Sequence, residues 1–237
     1  MNKLKKLTTC SVLITIFMIG MVSCMDPQIR ADRIREEMLE HMRIKYGKEF
    51  IEISFIEFFD DNRSRLTCYP EGGNPDTDRA RVMRERLGKN IYDDYFIILI
   101  RDEVEAEIEI ICGQLSLNVK VFSIGRTYFD NEFDVTKSFA DIRDYDHFVL
   151  NVRIAVLADQ SFDMDGTSEQ IFQALMDERF AGYYAIYYIT EEGFHNLTRE
   201  NRNDNLNSRS PHVLGHYGRS IWPPRSVDEE VHDANSP

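Results

Sequence analysis

Imidazoles, carboxylates and thiols are the groups with which this chain could do chemistry, and their spacing decides which chemistry is open to them. His212 and His216 stand four residues apart, which on a helix would put both rings over one zinc ion. No Glu adjoins the first His, and Pro211, Gly215 and Gly218 oppose a helix, so two loop histidines are expected. Ser161, Asp163, Asp165, Gly166 and Glu169 have the alternation of a calcium loop. The twelfth position, however, is Phe172, where a bidentate Glu is required. Asp163 and Asp165 are therefore expected to be turn residues leading into a helix that Thr167 caps, with Gln170 completing a capping box.

Glu103, Glu105, Glu107 and Glu109 place four carboxylates along one element, whereas a glycosidase needs two facing each other across a cleft. A solvated acidic face is the expectation. Tyr92-Asp93-Asp94-Tyr95-Phe96 reads as a helix entry backed by core aromatics. Cys68 or Cys112 as a nucleophile would need a His-paired thiolate, and neither has a local signature for one. His147 and His195 stand in no Ser or Cys motif, and the chain holds no G-x-S-x-G, S-x-x-K, P-loop or G-x-G-x-x-G. No catalytic residue, no metal site and no cofactor is expected.

The elements that would position these residues follow from periodicity. Ile34, Met38 and Met42 recur every four residues in an amphipathic helix that opens at Asp26-Pro27 and closes at Tyr46-Gly47. Alternation marks strands at 51–59, 66–69 and 80–86, with a Gly- and Pro-rich turn at 70–75. From Tyr92 to Cys112 a strand pattern competes with the helical stripe Ile97, Ile100, Val104, Ile108 and Ile111. Length and the stop at Gly113 favour the helix. Beyond it the pattern gives a strand near Val119–Phe122, a short helix near Lys137–Arg143, a strand over Phe148–Val156, a helix after Thr167, a strand over Tyr183–Ile189 and a helix near Glu191–Arg199. Consecutive strands point to an α+β fold, a mostly antiparallel sheet with helices packed on one face. Residues 24–200 are expected to form one extracytoplasmic domain and residues 201–237 a largely irregular polar tail, with Trp222 and Pro223-Pro224 as a latch on the domain or a docking peptide.

The first residues bear on location. Met1 to Lys6 holds three lysines and Leu7 to Met25 carries no charge, a basic region followed by an apolar one. The stretch ends in Met21-Val22-Ser23-Cys24 and resembles a bacterial lipoprotein signal, in which a small residue precedes a Cys that is acylated and becomes the N-terminus. That resemblance implies cleavage after Ser23, lipid on Cys24 and membrane attachment through that lipid. An uncleaved anchor and ordinary secretory cleavage are the alternatives. All three put the rest of the chain outside the cytoplasm.

The whole chain has 28 Lys and Arg against 41 Asp and Glu, a net charge of −13. Loss of residues 1–23 takes Lys3, Lys5 and Lys6 and no acid, leaving 25 basic against 41 acidic residues, or −16. Such a surface opposes nucleic acid and anionic headgroups, so no nucleic-acid partner is expected and the lipid must supply the attachment. Cys68 and Cys112 remain as a disulfide or as two buried free thiols.

The lipobox ending at Cys24, the helix end Lys45-Tyr46-Gly47-Lys48-Glu49-Phe50 and the segment Ile91-Tyr92-Asp93-Asp94-Tyr95-Phe96 together resemble small surface lipoproteins of Gram-positive bacteria. The resemblance spans about the first half of the mature chain and implies a helix after Tyr95. It carries no catalytic residues across. The function expected is therefore a membrane-anchored lipoprotein with a non-catalytic binding or accessory role and a cell-envelope protein as candidate partner. The alternatives are a solute-receptor component of a transporter, or a cell-envelope enzyme.

Overall fold

Twenty residues from Pro27 to Tyr46 form helix α1, whose Met38 and Met42 are fully buried while Arg33, Glu36 and Glu40 stay at the surface. Each buried Met contributes about 2 kcal/mol of apolar transfer. Gly47 ends the helix with φ +63°, the left-handed conformation that glycine adopts without a Cβ clash, and its N–H donates to the Arg43 carbonyl at 2.9 Å. The structure is a computed structural model that describes residues 27–57, 62–85, 90–125, 127–130, 132–143 and 148–222. Ser23, Cys24, His147 and Pro223-Pro224 lie outside the described residues. No helix of the described residues is long and apolar enough to cross a membrane.

Two four-stranded sheets follow. The first pairs β1 (Phe50–Glu57), β2 (Arg63–Pro70), β3 (Ala80–Glu85) and β4 (Ile91–Asp93) in chain order, antiparallel throughout. Alternation along β2 buries Leu66 and Cys68 beside Val82 of β3 and the methionines of α1, which makes a small core. The second sheet pairs β5 (Val119–Gly125), β6 (Leu150–Leu157), β7 (Gly182–Ile189) and β8 (Val213–Ile221). Its β6 and β7 run parallel, and the connection carries helix α4 (Met164–Asp177), as a parallel pair requires. Helix α3 (Phe139–Ile142) precedes β6; α5 (Glu191–Asn196) and α6 (Arg202–Asn205) lie between β7 and β8.

Between the sheets in sequence runs α2 (Tyr95–Gln114), the helix expected from the stripe. It serves both cores: Tyr95 and Ile98 face the first, while Phe96, Ile97, Val104, Ile108 and Cys112 pack into the second, larger one with Val152, Ile154 and Tyr184. The fold is α+β, as the strand runs indicated. The other face of the second sheet is not open, because Phe194, Leu197 and Leu206 from the α5–α6 region pack on Phe122, Ala155 and Ile189.

The tail boundary at 201 needs correction. Residues 202–205 are helical and 213–221 form β8, which pairs with β7 along its whole length. Gly218 looks like a strand breaker in sequence, but here it permits close packing: a Cβ would meet the Tyr183 hydroxyl at 2.5 Å. Trp222 is 62% exposed, so it does not latch onto the domain.

Candidate functional site

A groove of about 780 Å³ is lined from both sheets: by residues 76–81 before and in β3, by the first turns of α2, by β5 and β6, and by α6 with its approach. Five arginines and four acids are among its lining residues. Arg81 donates from Nε to Asp94 Oδ2 at 2.9 Å and from its backbone N–H to Oδ1 at 2.6 Å. Arg101 donates from Nη1 to Asp78 at 2.9 Å and to the Thr77 carbonyl at 3.0 Å, which ties the β2–β3 turn to α2. Asn151 and Arg153, two apart on β6, share a face of the strand and both line the groove.

Glu105 sits beneath this wall. It is buried and accepts the Ser123 N–H at 2.7 Å, the Ser123 hydroxyl at 3.2 Å and a forked pair of N–H groups from Arg199 at 2.7 and 2.5 Å. A carboxylate engaged by a guanidinium is a poor proton acceptor, so Ser123 is not an activated nucleophile. Thr77 donates to Asp78, and Asp78 is likewise held by Arg101, with its carboxyl below the usual range because these bonds outweigh its burial. The wall presents charged groups and hydrogen-bond donors to the groove.

Asp93 and Asp94 anchor the site from behind. Asp93 has no exposed surface, and its carboxylate accepts Lys45 Nζ at 2.7 Å, the Tyr46 hydroxyl at 2.6 Å and the Tyr95 N–H at 3.0 Å, with His41 Nε2 at 3.3 Å. Burial opposes its charge, yet the bonds from His41, Lys45 and Tyr46 and the charge of Lys45 outweigh that and keep the carboxyl below its ordinary range. Lys45 continues to the Phe129 and Asp130 carbonyls at 3.1 and 2.6 Å. The node thus joins α1, the end of β4 and the 127–130 segment. For Asp94 burial wins over the Arg81 bonds, and its carboxyl is pushed up to about 6.

The sequence candidates fall elsewhere. His212 lies in the turn before β8, and His216 lies on β8 stacked on Tyr187 at 6.0 Å; four residues of extended chain hold them roughly 13 Å apart. Among the described residues no group of three His, Cys, Asp or Glu could hold a metal ion. His195 is exposed beside Glu191 at 3.7 Å. Asp163, not Thr167, caps α4 by accepting the Gly166 N–H at 3.0 Å, while Asp165 meets the Tyr217 hydroxyl and Glu169 meets Arg219. The acids of α2 are not all solvated either, since Glu103 accepts the Phe139 N–H at 2.8 Å and Glu107 faces Arg143 at 3.5 Å, beside the buried Glu105. Of the two readings open for Cys68 and Cys112, a disulfide or two buried free thiols, the structure has the free thiols, one in each core. Burial pushes both thiols up to about 12, so neither supplies a thiolate.

Sequence reasoning missed the groove because its five arginines come from four separate segments. Asp93-Asp94 was the one legible signal: two adjacent acids between aromatics are costly to bury unless distant cations meet them. No family model matches the sequence, and no curated protein matches it. A solved structure similar to it is the crystal structure of a DUF5037 family protein from Ruminococcus gnavus, at 17% identity, 78% coverage of this chain, 90% of that chain and a TM-score of 0.40.

Proposed function

We propose that the protein is a lipid-anchored extracytoplasmic lipoprotein with a non-catalytic binding role, its ligand seated in the groove between the two sheets. The observation that supports binding over catalysis is the groove itself, where Ser123 and Thr77 are each bonded to a carboxylate that an arginine already neutralises. The anchoring half rests on Ser23-Cys24 after an uncharged stretch from Leu7. It is tested by intact mass and detergent partitioning of the full chain expressed in a bacterium, beside Cys24→Ala. Loss of residues 1–23, an added diacylglycerol, and detergent-phase partitioning that vanishes in the variant are expected. A full-length mass that still follows the membrane would overturn the lipid anchor.

A solute receptor of a transporter is a second reading, favoured by the groove drawing its lining from both sheets. It requires the sheets to close on the solute. Small-angle scattering that shows no compaction at saturating solute would dismiss it.

A further inference from the structure

Two cations in the groove lack a carboxylate. Among the described residues Arg153 forms no ion pair, and its side chain donates from Nη1 to Asn203 Oδ1 at 2.9 Å. Arg202 donates from Nη1 to the Arg199 carbonyl, also forms no ion pair, and leaves its buried Nε without a partner. Yet Arg202 is only 8% exposed. The other arginines nearby are engaged: Arg81 by Asp94, Arg101 by Asp78, Arg199 by Glu105. Burying a guanidinium without a counter-charge is among the costliest arrangements in a protein. Here burial, and then the charges of Arg199, Arg153 and Arg101, push Arg202 below its ordinary range, with Glu105 opposing. An anion in the groove against Arg202 and Arg153 would supply the missing counter-charge and relieve that repulsion.

We propose that Arg202 and Arg153, with the Asn151 amide beside them on β6, form the seat for the oxyanion of a small ligand, a carboxylate or phosphate group. The inference rests on the groove being the ligand seat and names the chemistry that it takes. A guanidinium fork matches both oxyanions, so geometry alone leaves the two sources to experiment. Polyanions are disfavoured, because the exposed carboxylates of Glu200 and Asp204 line the same groove on a chain of net charge −13.

The test is the thermal midpoint of the full chain in detergent micelles, titrated with inorganic phosphate and separately with citrate, ionic strength held constant with sodium chloride. A saturable rise is expected in at least one arm, and the responding arm identifies the source. Arg153→Gln should raise the half-saturation concentration at least tenfold. Arg219→Gln, which removes an exposed cation paired with Glu169, should leave it unchanged. Arg202→Gln should abolish the response; because that residue is buried and its loss can impair folding, the half-exposed Arg153 carries the decision. No saturation in either arm, or equal half-saturation in wild type and Arg153→Gln, overturns the proposal. Detergent partitioning of the same samples keeps the two readings apart: partitioning without an anion response fells only the oxyanion seat, and a response without partitioning fells only the anchor.

Discussion

Asp94 is a carboxyl group whose ionisation the fold resists. Its carboxyl is pushed up to about 6 by burial, against the bonds from Arg81, while an unfolded Asp titrates near 3.9. Between those values the folded state holds a proton that the unfolded state releases. The stability it contributes is therefore full below about pH 4 and declines as pH rises through about 6. Asp93 acts in the opposite sense, its lowered carboxyl adding stability that is lost as pH falls below the ordinary Asp range. Denaturant unfolding of wild type and Asp94→Asn across pH 4 to 7 separates the two. The wild-type advantage over the variant should shrink with rising pH, and a constant difference would refute the assignment. Neither role was legible in Asp93-Asp94 read as a helix entry, because their partners Lys45 and Arg81 come from α1 and β3.

At the scale of elements, the start of α4 separates the periodicity of the sequence from the structure. Thr167 and Gln170 have the right types for a capping box, but the helix begins at Met164, with Asp163 as its cap. Gly166 lets the cap pack closely: a Cβ there would lie 2.3 Å from Asp163 Oδ2, and the Asp163 side chain would have to shift to make room. Asp163→Ala should cost about 1 kcal/mol, a midpoint drop of about 2–4 °C for a chain of this size, and Thr167→Ala should cost far less. Equal losses in thermal unfolding would return the cap to Thr167. Most elements were legible because they bury one face and so carry a period: Met38 and Met42 in α1, Leu66 and Cys68 in β2, Val152 and Ile154 in β6. Strand β8 was not, because Gly215, His216 and Gly218 blur its alternation and its position is fixed by Tyr183 and its neighbours on β7.

For the whole molecule the question is how two sheets with separate cores behave as one body. Helix α2 contributes to both cores, and Lys45 bridges α1 to Asp93 and to the 127–130 segment. Cys68 and Cys112 report on the two cores separately, each thiol being protected until its own core opens. Labelling with a thiol reagent across a urea series should modify both at the same urea concentration in wild type. Lys45→Met takes the lysine counter-charge from the buried Asp93 and leaves it only the bonds from Tyr46, Tyr95 and His41, at a cost of about 3 kcal/mol, and Cys68 should then be labelled at lower urea than Cys112. Coincident labelling in the variant would show that the Lys45 node does not couple the halves. The groove belongs to this scale as well, since Arg153 and Arg202 meet only after β6 and α6 are in place.

The parallel pairing of β6 and β7 also sets an order of events during synthesis. Until β8 arrives, β7 presents a full row of unpaired backbone N–H and C=O groups along an aromatic strand, a template for wrong pairing. The residues that cover it are 213–221, at the end of the described chain. The second sheet cannot close until this strand has been made, so the strand acts as a clasp on β7 and nascent forms that lack it are the species most prone to aggregate.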